Sequence, residues 1–270
     1  MKRQQTIRIA AAGDIHCSPE NRDRVVGAFA ALEDTVDLIL LAGDLTTHGE
    51  PEQAVVLADA CRGLTLPIFA VLGNHDWHSG RQDEVVDVIT SAGVRVLERS
   101  WATYEIRGAS VGVVGTKGFV GGFPDSELPD FGEPLLRQVY AETTAEVEAL
   151  ELGLEAVSHC GLRIVLLHYA PTTTTLVGEP PVIWAFLGSD RLGRPIRDHR
   201  PDLVLNGHAH AGTFAGSIED VPVYNVAVPV MERDFWVFEL EGGVDAPGDQ
   251  PDIHVETEAA EPPGEHRGPH

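Results

Sequence analysis

Residues 36–44 read VDLILLAGD, with an unbroken apolar run from Leu38 to Ala42 that stops at Gly43-Asp44. No helical period divides this run into a polar and an apolar side. A short segment that is apolar on both faces suits a strand buried between two layers. The same design stands on either side of it. Residues 6–14, TIRIAAAGD, end at Gly13-Asp14, and residues 66–74, LPIFAVLGN, end at Gly73-Asn74. Helical stretches separate and follow these runs. Over 19–33, Val25, Val26, Phe29 and Leu32 recur at steps of three and four or less, and 51–61 and 81–92 read as helices too.

Asp14, Asp44 and Asn74 therefore stand 30 residues apart, the length of one strand–helix unit. Each lies just past the carboxyl end of a buried strand. Ligands of open α/β sheets bind along that edge, so three successive strands deliver polar groups to one place.

Beyond residue 100 the pattern changes. Residues 101–107 and 110–115 alternate around Arg107-Gly108 and predict a hairpin. Residues 117–132, rich in Gly and Pro, predict a long loop. Leu136, Val139, Tyr140, Val147, Leu150, Leu154 and Val157 predict one amphipathic helix over 133–158, stopped by Gly161. Residues 163–167, RIVLL, form another apolar run, ending at His168. A helix is expected at 190–199 and a strand at 202–206, DLVLN, ending at Gly207-His208. Short strands follow near 212–218, 221–227 and 235–240. Strands alternate with helices first and pair as hairpins later, which predicts an α/β domain with mixed sheets over residues 1–240. Residues 241–270 are rich in Gly, Pro and acidic residues and are expected to form a disordered acidic tail, because they hold too little apolar surface to offset ordering.

Composition excludes several classes of function. The chain of 270 residues carries 42 acidic against 19 basic residues, a formal charge of -23. Such a surface repels nucleic-acid backbones and anionic membranes. Cys17, Cys61 and Cys160 are odd in number and widely spaced, so no disulfide framework is expected. No apolar stretch approaches the roughly 20 residues that a membrane span needs, and the run after Arg8 is too short for a signal peptide. The expectation is a cytoplasmic protein that binds neither nucleic acid nor membrane; its oligomeric state is left open.

Taken in order, the strand ends read Asp14-Ile15-His16, Gly43-Asp44, Gly73-Asn74-His75-Asp76, His168 and Gly207-His208-Ala209-His210. Imidazoles, carboxylates and an amide suit first-row divalent metals such as Mn, Fe or Zn. Pairs at i and i+2, such as Asp14 with His16 and His208 with His210, face the same side of an extended segment. Seven such groups can hold two ions if one carboxylate bridges.

In sequence and order these blocks resemble the five motif blocks of calcineurin-like metallophosphoesterases, over roughly residues 6–240. The resemblance implies a four-layer αββα sandwich of two mixed sheets. It implies Asp14, His16 and His210 on a first metal, Asn74, His168 and His208 on a second, and Asp44 between them. His75 would face the leaving group, with Asp76 orienting it. Two metals about 3.5–4 Å apart would clamp an in-line displacement, and a metal-bound water would be the nucleophile. Protonated His75 would stabilise the developing charge or protonate the leaving alkoxide.

Protein phosphatases of this family carry an arginine after the second block that grips the phosphate; this chain has His48 there. With Lys2 and Lys117 as its two lysines, it also lacks the basic surface of a nuclease. The blocks look most like the bacterial phosphodiesterase branch that includes class III cyclic-nucleotide phosphodiesterases. The expectation is a small-molecule phosphodiester substrate, with a phosphomonoesterase or nucleotide pyrophosphatase as the alternative. A non-catalytic scaffold would have lost ligands or His75, and this chain has lost neither. His48, Phe119 and Trp184 are candidates for the substrate pocket, with His78 at its rim and Phe123 beside it.

Overall fold

The three apolar runs become adjacent parallel strands. A computed structural model describes residues 5–242; the expected acidic tail lies, from residue 243 on, outside the described residues. The chain opens with β1 (Gln5–Ala12), α1 (Arg22–Ala30), β2 (Leu38–Ala42), α2 (Pro51–Cys61), β3 (Ile68–Val71), α3 (Gln82–Ser91) and β4 (Val94–Val96). It continues through β5 (Ser100–Ile106), β6 (Ala109–Gly115), α4 (Pro134–Ala156), β7 (Leu162–Leu166), α5 (Trp184–Leu187), α6 (Asp190–His199) and β8 (Leu203–Asn206). The last elements are β9 (Ala215–Ile218), β10 (Val221–Asn225), α7 (Val228–Met231) and β11 (Trp236–Gly242). Pro51 and Pro134 each stand in a first helical turn, where a missing N–H costs nothing.

One sheet has the order β11-β1-β2-β3-β4 and the other β5-β6-β7-β8-β10-β9. In the first, β1 to β4 run parallel and β11 pairs antiparallel with β1, setting Ile7 opposite Leu240 and Ile9 opposite Phe238. In the second, β6, β7, β8 and β10 run parallel between antiparallel edges. Both sheets are mixed.

Side-chain alternation turns these sheets into layers. Val113, Ile164, Leu203 and Leu205 pack with β1 to β3 and with Phe29, Leu57 and Ile89 of α1 to α3 in one core. Their neighbours Val114, Val165 and Val204 point the other way, onto Leu150 and Leu154 of α4 and Ile196 of α6. The order is helices, sheet, sheet, helices, the sandwich that the motif resemblance implies. β2 and β3 are buried at every position, as their unbroken apolar sequences require.

The short elements β4, α5 and α7, of three or four residues, were not expected, since too few residues repeat to show a period. Among the described residues no helix is long and apolar enough to cross a membrane.

Candidate metal centre

The blocks are zipped together by backbone before any side chain is considered. Asp14 N donates to Gly43 O, His16 N to Asp44 O and Cys17 N to Leu45 O. This fastens the end of β1 along the end of β2. On the other sheet, the amides of His168 and Tyr169 both donate to Lys117 O, tying the end of β7 to the end of β6.

At the strand ends the chain turns sharply. Asp14, His16, Asp44 and His208 all hold left-handed φ values, of 56, 48, 49 and 70°. A non-glycine residue there costs about 1–3 kcal/mol and persists only where its surroundings enforce it. Four of the candidate ligands at the strand ends share this conformation. Glycines at the ends of β2 and β3 make room: a Cβ at Gly73 would collide with the Asp44 carboxylate, and one at Gly43 with the ring of His168.

The side chains then meet in two sets that share one carboxylate. Donor atoms of Asp14, His16, Asp44 and His210 lie within 4.8 Å of one another, and so do those of Asp44, His168 and His208. Asp44 Oδ2 is 3.9 Å from His16 Nε2, and its Oδ1 is 3.4 Å from His168 Nε2. Asn74 joins the second set, with Oδ1 2.9 Å from His168 Nε2.

Tautomers tell whether a cation fits. His168 Nδ1 is 2.9 Å from Ala42 O, and a carbonyl can only accept, so the ring spends its N–H there. In the neutral imidazole Nε2 then presents a lone pair to the oxygens of Asn74 and Asp44. Three acceptors converge on one point, an arrangement that a divalent cation satisfies. His208 likewise donates Nε2–H to Phe186 O at 3.2 Å, leaving Nδ1 free. His16 Nδ1 is buried without a hydrogen-bond partner.

Electrostatics agree. Burial, then the neighbouring His168, lowers the His208 pKa to about 4, so its ring is neutral and ligand-competent at neutral pH. Burial also lowers the pKa of His16, against the pull of Asp44. Burial pushes the Asp14 carboxyl up, but the His210 hydrogen bond and the charges of His168 and His210 outweigh it and leave it below its usual value. His210 is raised by that hydrogen bond.

His75 stands beside these sets. Its backbone N donates to Asp44 Oδ1 at 2.8 Å. Its ring Nδ1 is 2.7 Å from Thr47 O, so Nδ1 is the donor and Nε2 faces the centre, 3.9 Å from Asp44 Oδ2. His48, expected at the substrate side, lies with His75 and His78 in one cluster, and the rings of His75 and His78 lie 4.3 Å apart, tilted to one another.

Asp76 differs from expectation. It does not orient the ring of His75, which rests on Thr47 O. Its buried carboxylate accepts instead from Leu45 N, Thr46 N, Thr46 Oγ1 and Gly73 N. Burial and the Asp44 charge push its pKa up, while four donors favour the ionised form. Asp76 thus fixes the second block against the third, and through Thr46 it places the Thr47 carbonyl. Its fully buried carboxylate holds the turn that carries His75. Asp76→Asn replaces two of those acceptor sites by an amide N–H₂ facing donors. It is expected to lower unfolding stability by about 2–4 kcal/mol, read by urea titration; an unchanged midpoint would refute this role.

The pocket candidates divide. Phe119 is half-buried, set edge-on to Tyr169 at 5.8 Å. Trp184 instead fastens its own loop: its indole N–H bonds Glu179 O at 3.1 Å and its ring packs with Phe123 and Leu176. That loop borders the centre, since Phe186 O takes His208 and Glu179 Oε1 accepts from Ala211 N. Val177, Val182 and Phe186 of this loop are exposed. Sequence reading passed over Tyr169, whose ring lies 4.5 Å from that of His208. Its position directly after His168 was the available signal.

Comparisons with known proteins point the same way. A family model described as calcineurin-like phosphoesterase matches residues 7–212. Among solved structures, a phosphopantetheinyl hydrolase from Mycobacterium tuberculosis is similar at a TM-score of 0.63 and 16% identity, over 90% of this chain and 98% of that one. A Thermus thermophilus protein, TT1561, is similar at 0.54 and 18%, over 87% and 99%. GAP50, the anchor in the inner membrane complex of Plasmodium, is similar at 0.57 and 12%, over 83% and 72%. At such identities these likenesses show the fold. Comparison with curated protein sequences finds no match.

Proposed function

The chain belongs to the calcineurin-like phosphoesterase family, and on that premise we propose that it is a dinuclear metal-dependent hydrolase of small phosphodiesters. Asp44, shared between two donor sets, is the observation that carries the reading. Asp14, His16 and His210 would hold one ion, Asn74, His168 and His208 the other, and Asp44 both. When bound, divalent Mn, Fe or Zn supplies Lewis-acid polarisation of the phosphate and activation of water.

The chain's own residues do the rest. The carbonyls of Ala42 and Phe186 orient the rings of His168 and His208, and the amide of His208 holds the carboxylate of Asp14. His75, with Nδ1–H held by Thr47 O, points Nε2 toward the reacting phosphate. In its protonated form it donates to the developing oxyanion or the leaving alkoxide. Charges from two cations would outweigh those of Asp14 and Asp44, so an anionic substrate can enter a site within an acidic protein.

The preference for a small diester, cyclic nucleotides among them, rests on this chain's composition and on His48, which stands where a phosphomonoester-gripping arginine would be. The same acidity argues against nucleic-acid partners. A scaffold, as the name of GAP50 suggests for that protein, is disfavoured because the ligand sets and His75 are all in place.

The test is purified protein supplied with Mn²⁺ and either bis(4-nitrophenyl) phosphate or 4-nitrophenyl phosphate. The expected result is a higher kcat/KM for the diester. Faster turnover of the monoester would overturn the diester preference. No turnover with Mn²⁺, Fe²⁺ or Zn²⁺ would overturn the hydrolase reading itself.

A further inference from the structure

Lys117 lies at the strand-end edge, one residue past Thr116 and two past the end of β6. It is buried, with 5% exposure, and its ammonium sits among aromatic rings: 4.4 Å from Phe119, 5.4 Å from Tyr169 and 5.9 Å from Trp77. These rings belong to the site. Trp77 closes the turn that carries His75, and the ring of Tyr169 packs against those of both His168 and His208. The ammonium is thus held between the His75 turn and the His168–His208 side of the centre.

Such a burial is costly unless the charge is matched. Among the described residues, the ammonium's hydrogen bond goes to Gly118 O at 3.1 Å; an ammonium has three donors. Glu98 feels its charge, but burial pushes that carboxyl up to about 7, so it gives only part of a counter-charge at neutral pH. Aromatic faces attract the cation without neutralising it.

The turn that carries it is built to hold it still. Buried Glu146 of α4 accepts from Thr116 Oγ1, from Gly118 N at 2.9 Å and from Arg99 Nε at 3.0 Å. Both neighbours of Lys117 are therefore anchored to one carboxylate. A rigidly placed cation with donors to spare, beside the proposed reaction centre, has the chemistry of an oxyanion receptor.

We propose that Lys117 forms an anion subsite that grips a non-bridging oxygen of the substrate's phosphate, the task an arginine at the position of His48 would otherwise perform. This rests on the hydrolase reading above. Lys117→Met keeps the side chain's bulk among the rings and removes the charge. With metal content unchanged, it is expected to lower kcat/KM and weaken inhibition by inorganic phosphate, each by roughly 10–100-fold, the size of one charged hydrogen bond. Lys117→Arg should recover most of both. A purely structural lysine would leave phosphate inhibition unchanged in Lys117→Met, and that result would overturn the proposal.

A second measurement needs neither variant nor turnover. The chain has two lysines, Lys2 and Lys117, so ¹³Cε-lysine labelling gives two side-chain signals. Adding inorganic phosphate to the zinc-loaded protein should shift the Lys117 signal saturably and leave that of Lys2 in place. No shift of Lys117 would overturn the subsite. Wild-type protein that binds phosphate at Lys117 but turns over nothing would overturn the hydrolase reading instead.

Discussion

Asp44→Ala is expected to lose its bound metal and all measurable phosphoester hydrolysis together. The carboxylate is almost fully buried, and its two oxygens face different partners. Oδ1 takes His75 N and faces His168, while Oδ2 faces His16 and His75. Alanine leaves each donor set one ligand short and removes the atom pair that joins them. It also leaves His75 N without its acceptor. Loss of a partner outside the ligand shell typically weakens metal binding by 10–100-fold; loss of a shared ligand should exceed roughly 100-fold. Elemental analysis after gel filtration measures the metal, and circular dichroism shows whether the fold survives. A folded variant that retains two equivalents would refute the bridging role.

His75→Ala should behave differently. The ring stands beside the ligand sets with Nε2 toward the centre, held by Thr47 O and lying 4.3 Å from the ring of His78. Its removal deletes a proton donor and leaves Asn74, Asp44 and His168 in place. Turnover is expected to fall by roughly 10²–10⁴-fold, the usual size of a general acid–base group, with metal content unchanged. Metal loss in this variant would mean that His75 is a ligand. His75→Gln separates the two functions further, because its amide can keep the contact to Thr47 O but cannot carry a proton to a leaving group.

The contrast between these variants follows from where each residue sits, and that was only partly legible in sequence. The strands with Asp14, Asp44 and Asn74 at their ends were readable because each holds a short apolar run closed by a glycine and a polar residue. The long helix α4 and the hairpin of β5 and β6 were readable from their periods. The three-residue β4 and the four-residue α5 and α7 were not, because a period needs more residues than they have. Within the site, the motif blocks named the candidate donors but not the hydrogen-bond partners of Asp76. A carboxylate beside a histidine in sequence invites a pairing, but the turn directs it inward to four donors.

By itself, then, the sequence determined the alternation of strands and helices, the sheet edge that gathers the polar strand ends and the chemical identity of those candidate donors, since these follow from local apolar pattern and residue type; the layer order was implied only by the motif resemblance. Only the tertiary structure decided how the donors divide. The amide of His208 reaches the carboxylate of Asp14 across 194 residues of chain, a contact that no local pattern encodes. It also decided which ring nitrogens are free, through carbonyls such as Ala42 O and Phe186 O that any sequence would supply. And it brought Lys117, a single lysine in a glycine-rich loop, into a ring of aromatics contributed by three separate segments. Packing chose those neighbours, and with them the place where a substrate's charge can be met.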